Sequence, residues 1–140
     1  MTLDFQIPSN IDAGREAQRR VLEPVLDLRY DPDSIFAIRL ALEEGITNAI
    51  KHGNGLNPAK KVRIKATITD KRFEMTIEDE GPGFAKSKVP DPTANHNLGR
   101  PSGRGILLIE SYMTSARWEL GGRRLWMTRE NNPKTTQPRK

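Results

Sequence analysis

Val62-Arg-Ile64-Lys-Ala66-Thr-Ile68, a turn at Asp70-Lys71, then Phe73-Glu-Met75-Thr-Ile77-Glu-Asp79 is the stretch whose reading decides the fold. Apolar residues fall at every second position in both runs, which is the period of a strand with one buried face. The two runs read as a β-hairpin. Upstream, Asp31-Pro32 opens a helix, with Asp as N-cap and Pro in the first turn; its apolar stripe is Ile35, Ile38, Leu42, Ile46 and Ala49, and Gly53-Asn54-Gly55 with Pro58 ends it. An earlier helix opens at Ser9, with Asp12 completing a weak capping box, and carries Ile11, Val21, Leu22, Val25 and Leu28. Residues 2–7 alternate as a first strand. Downstream, residues 80–103 form a long loop rich in Pro and Gly, Ser102 leads into a third helix over Ile106–Met113, and Ala116–Leu120 pairs with Leu125–Arg129 across Gly121-Gly122. The order β-α-α-β-β-α-β-β predicts an α+β two-layer sandwich, a mostly antiparallel sheet with helices on one face. The boundaries are one domain over residues 1–130 and a basic tail over 131–140.

Composition narrows the function classes. The chain has 140 residues, a net charge of +5, no cysteine and two histidines, His52 and His96. Disulfides and thiolate metal sites are therefore excluded, and a zinc site has too few ligands. Residues 1–60 carry 7 basic and 9 acidic groups and residues 61–140 carry 16 and 9, so the second half holds the positive charge. A basic half invites a nucleic-acid reading, but aromatic residues are few and do not alternate with basic ones. No apolar run reaches membrane-spanning length, and the chain reads as soluble and cytoplasmic.

Three features break the scaffold pattern. Glu44 and Asn48 stand four residues apart on one helical face, beside the small residues Ala37, Ala41 and Gly45, which suggests close packing there. On spacing alone the pair reads equally well as an exposed acid and amide. Asp79 shares the parity of Phe73, Met75 and Ile77, which places a carboxylate on the core face at a strand end, where it needs donors. Gly81-Pro-Gly83-Phe84 follows and permits a sharp turn; an Asp capping its own turn is the plainer alternative. Ser102-Gly103-Arg104-Gly105 puts glycine-flanked amides and a cation at a helix N-terminus, a pattern suited to anions but weak alone. It is neither a Walker A loop nor a dinucleotide fingerprint.

Together, in this order, the three resemble the ATP-binding fold shared by gyrase, the heat-shock chaperone of that class, mismatch-repair proteins and histidine kinases. Within that superfamily the chain is most similar to the small bacterial anti-sigma-factor serine kinases of the sporulation and stress-response type. The likeness runs from about Phe5 to Arg129. Its segments are Glu44-Gly-Ile-Thr-Asn48-Ala-Ile-Lys-His52-Gly-Asn54, Asp79-Glu-Gly81-Pro-Gly83-Phe84, Pro90-Asp91-Pro92 and Pro101-Ser102-Gly103-Arg104-Gly105-Ile106.

The resemblance implies ATP and Mg²⁺ as cofactors and assigns roles. Asn48 would ligate Mg²⁺, and Glu44 would accept the proton of an incoming hydroxyl. Asp79 would accept from the adenine amino group, with Gly81 and Gly83 letting backbone approach the base. Residues 85–102 would form a lid, with Lys86, Lys88 and Arg100 either assisting at the phosphates or solvating the loop. Ser102, Gly103, Arg104 and Gly105 would hold phosphates, and Thr128 would sit near the adenine. His52 reads either as a phosphate contact or, favoured, as a helix-end histidine with its bonds satisfied.

A histidine autokinase needs a helix bearing a reactive histidine, which neither His52 nor His96 supplies. Gyrase-type hydrolysis needs a second domain. The expectation is therefore an ATP-dependent serine/threonine protein kinase that acts as an anti-sigma factor, holding a sigma factor and phosphorylating an anti-anti-sigma antagonist. Members of this kind are often homodimers. Arg15, Arg19 and Arg20 on the first helix mark either a partner-facing surface or a solubilising face. The alternatives are a nucleotide-gated protein-binding module that transfers no phosphate, and a nucleic-acid binder, which leaves Asp79 and Asn48 unexplained.

Overall fold

The computed structural model describes residues 1–83 and 103–131. β1 (Thr2–Pro8) leads to α1 (Ile11–Asp27) and α2 (Pro32–Asn48), and α2 runs on into a π-helical turn over Ala49–Gly53. β2 (Lys61–Ile68) and β3 (Arg72–Glu78) follow, then α3 (Gly103–Tyr112), β4 (Ser115–Glu119) and β5 (Arg124–Glu130). The five strands form one sheet in the order β1-β2-β3-β5-β4, and every neighbouring pair is antiparallel. This is the expected α+β sandwich.

The hairpin is as its alternation requires: Ile64 pairs with Ile77 and Ala66 with Met75, all buried. These residues and Val62, Ile68 and Phe73 meet Ile38, Leu42 and Ile46 of α2 and Val21 and Val25 of α1 in a single core. At about 25 cal/mol per Å² of apolar surface removed from water, this interlayer contact is the dominant favourable term. Asp31 caps α2 as expected, its Oδ1 accepting from Ser34 N at 2.8 Å and its Oδ2 from Ser34 Oγ at 2.6 Å.

Local expectations shift at three points. The α1 cap is Asn10, whose Oδ1 accepts from Ala13 N at 2.8 Å, because the Ser9 hydroxyl instead donates to Lys60 O at 2.7 Å. Leu28 lies beyond the end of α1 and is exposed. Third, α2 does not stop cleanly at the Gly-Asn-Gly run. It widens, with Asn54 N donating to Ala49 O at 2.9 Å, five residues back. Such π-turns reset the direction of the side chains that follow.

Candidate nucleotide site

α2 and α3 pack antiparallel. Phe36 meets Tyr112 edge to face at one end, with ring centroids 5.5 Å apart, and Glu44 and Asn48 meet Gly105 at the other. A Cβ on Gly105 would lie 2.7 Å from Glu44 Oε2 and 3.2 Å from Asn48 Nδ2, so the first turn of α3 passes directly over both side chains. Both are half-buried. Burial, then neighbouring Glu43, raises the Glu44 pKa, and Arg104 partly opposes this. The structure therefore brings together Glu44, Asn48, Arg104 and Gly105. Gly103 is the first residue of α3, while Ser102 and the lid over 85–102 lie outside the described residues.

The small residues beside Glu44 have another cause than a ligand. A Cβ on Gly45 would stand 2.8 Å from Ile77 Cδ1 and 3.2 Å from Leu125 Cδ2, and Ala37 and Ala41 are fully buried. Gly45 thus lets α2 settle onto the sheet.

A second cluster sits just past α2. Asp79 is 8% exposed, on the helix-facing side at the end of β3, and its Oδ1 accepts from Gly81 N at 2.8 Å. Its own N–H donates to Arg123 O at 3.0 Å. Burial raises its pKa above 3.8 against the opposing pull of the Gly81 N–H and the Arg123 charge. Gly53, a helix terminator by its local sequence and one residue of the segment that carries the resemblance, is part of this cluster. A Cβ there would fall 2.3 Å from Asp79 Oδ2, and one on Gly81 would fall 1.9 Å from Gly53 O. Gly83 has a φ of 78° and faces Gly121 O, where a Cβ would be 2.1 Å away. Gly53 and Gly81 thus bring two backbones close around one carboxylate, and Gly83 brings a further pair of backbones together beside Arg123. Asn48 and Gly53 are five residues apart, so the two clusters are separated by about 7 Å along the helix axis at 1.5 Å per residue.

Thr128 does not join them. It pairs with Glu74, five residues before Asp79, which is roughly 16 Å along the strand at 3.3 Å per residue. It also has the opposite parity to Leu125 and Met127, which face the core, so it points away from the helix layer. His52 also differs from expectation, since its Nδ1 is buried and has no hydrogen-bond partner among the described residues. Burial, then Lys51, lowers its pKa, which favours a neutral ring.

Among the described residues no three His, Asp or Glu side chains come together as a metal site. Asn48 alone offers a neutral oxygen, which suits Mg²⁺ only if phosphates and water complete the shell. The buried carboxylate, the glycine-lined backbone and the cation at a helix N-terminus fit the base and phosphates of a nucleotide. The model of the histidine kinase-like ATPase domain matches residues 7–129.

The chain belongs to the histidine kinase-like ATPase family.

Within it, the chain is 35% identical over 105 residues to the anti-sigma F factor of Oceanobacillus iheyensis, covering 71% of each chain. It is 35% identical over 118 residues to that of Bacillus subtilis, covering 81% of this chain and 77% of the relative. The anti-sigma F factor of Clostridium perfringens is 32% identical over 120 residues, with 82% of each chain covered. The fold also matches a crystal structure of the RsbU and RsbW domains of a Mycobacterium tuberculosis protein, with a TM-score of 0.63 at 17% identity, over 94% of this chain and 32% of that one. No helix among the described residues is long and apolar enough to cross a membrane.

The arginines of α1 are engaged on their own surface. Arg19 pairs with Glu16 and Glu23, and the Arg20 guanidinium lies 4.1 Å from the centroid of the Phe5 ring.

Proposed function

We propose that this protein is an ATP-dependent serine/threonine kinase that acts as an anti-sigma factor, binding a sigma factor and phosphorylating a serine on an antagonist protein. The observation that carries this is the half-buried Glu44 carboxylate against the first turn of α3 at Gly105, beside Asn48. Amides at a helix N-terminus and Arg104 suit the phosphates, so Glu44 stands where a hydroxyl would approach them. Its raised pKa suits a group that takes up a proton at the transition state.

In the transfer, the serine Oγ bonds to the γ-phosphorus as the bond from that phosphorus to the β,γ-bridging oxygen breaks. The bridging oxygen keeps the electron pair and leaves with ADP, and the hydroxyl proton passes to Glu44. Asn48 would hold Mg²⁺, which neutralises phosphate charge. Asp79 accepts from the adenine amino group, and Gly81 with Gly53 keeps backbone close around the base.

The test is incubation with γ-labelled ATP, Mg²⁺ and the candidate antagonist proteins of the same genome. Label on an antagonist serine is expected from the wild type, with Glu44→Gln transferring none while still binding ATP. ATP binding without transfer to any antagonist would instead favour a nucleotide-gated binding module.

A further inference from the structure

Asn54 follows the π-turn directly and is 3% exposed. Its amide makes three of the four hydrogen bonds open to it. Nδ2 donates to Ser9 Oγ at 2.9 Å and to Lys61 O at 3.0 Å, and Oδ1 accepts from the backbone N–H of Glu80 at 2.7 Å. One side chain thereby fastens the β1–α1 junction, the start of β2 and the turn after β3. The Glu80 side chain adds a second tether to the same turn, accepting from Lys61 N.

Glu80 sits between the two residues that define the second cluster. Asp79 Oδ1 is held by Gly81 N, and that bond exists only while the Glu80 peptides keep their orientation. Asp79 is buried against a desolvation cost, so a loosened turn would let its carboxylate swing toward water. Gly53, with no Cβ, gives the room that the Asp79 carboxylate occupies on its other side. The bond from Glu80 N to Asn54 Oδ1 is what ties this turn to the end of α2, across 26 residues of chain.

We propose that Asn54 is a positioning residue for Asp79, and through it a determinant of base recognition, with the Glu80 carboxylate as the secondary tether. The proposal rests on the reading of Asp79 as the acceptor for the adenine amino group.

The test measures dissociation constants for ATP, GTP and inorganic tripolyphosphate by calorimetry, with thermal unfolding alongside, on five proteins: wild type, Asn54→Ala, Glu80→Ala, Ser9→Ala and Asp79→Asn. Asn54→Ala is expected to weaken ATP roughly tenfold, the value of one good hydrogen bond, and to reduce the preference for ATP over GTP by about the same factor while tripolyphosphate binding stays within about twofold. A merely structural role would weaken all three ligands together. Ser9→Ala removes the far arm of the network together with the Ser9–Lys60 bond and leaves the Glu80 arm in place, so it should lower the unfolding temperature and leave the ATP-to-GTP ratio intact. Glu80→Ala alters an exposed side chain and should reduce that ratio by about threefold, a fraction of a hydrogen bond's value; it decides the matter should Asn54→Ala not fold. An unchanged ratio in Asn54→Ala, or in Glu80→Ala if that variant must serve, overturns the positioning role if Asp79→Asn abolishes the preference. A preference that survives Asp79→Asn overturns the underlying assignment of Asp79 instead.

Discussion

Replacing Asp79 by asparagine should move stability and nucleotide affinity in opposite directions. In the wild type, Oδ1 accepts from Gly81 N at 2.8 Å and Oδ2 lies over Gly53. An asparagine that keeps its oxygen on Gly81 N puts an NH₂ group where Oδ2 stood, so two donors face each other when adenine arrives. Losing a hydrogen bond to a charged acceptor costs about 1.5–3 kcal/mol. That is roughly a 10- to 150-fold rise in the dissociation constant for ATP. Stability responds with the other sign. Burial raises the Asp79 pKa above its unperturbed 3.8, so the ionised group opposes folding at every pH above the raised value. The penalty fades as pH falls through the folded pKa and is gone below 3.8. Asp79→Asn should therefore unfold at a higher temperature than wild type at pH 8, with the gap closing toward pH 3.5. Calorimetric titration with ATP and thermal unfolding across that pH range measure both. Unchanged ATP affinity, or a wild type more stable than the variant at pH 8, would refute the reasoning.

Gly105→Ala should fold as well as wild type or better, since alanine gains up to about 1 kcal/mol in a helix. Its Cβ displaces the Glu44 carboxylate from 2.7 Å, and transfer should fall on the order of 10²-fold, measured by phosphorylation rate. Gly81→Ala drives a Cβ into a backbone oxygen, Gly53 O, that no rotamer change can move. It should cost roughly 1–3 kcal/mol in denaturant unfolding and weaken ATP binding as well. Thr128→Val should leave ATP affinity within about twofold, because the side chain points away from the helix layer, on the face opposite Leu125 and Met127.

The hairpin and the helix opened by Asp31 were legible because period and cap agreed with the packing that followed. Ser9 and Asn10 are both good caps, and no local rule separates them; the choice is made by Lys60 O, far along the chain, which takes the Ser9 hydroxyl. Asp79 was found by its parity, and the same rule applied to Leu125 and Met127 would have turned Thr128 away from the site. Gly45 marks a close approach, and its partner is the sheet, at Ile77 and Leu125. Locally Gly53 and Asn54 signal only a helix end, and the resemblance gives them no individual role, because their partners, Asp79 and Glu80, lie 26 residues downstream. The basic second half places Arg104 beside Glu44 and Arg123 beside Asp79.

The proposed site holds one nucleotide across both clusters, which backbone amide shifts can test. In a titration with ATP and Mg²⁺, the Gly81 and Gly105 amides should shift together with one dissociation constant. Tripolyphosphate should move Gly105 and leave Gly81 in place, and adenosine should do the reverse. An ATP titration that moves one amide and never the other would contradict the account.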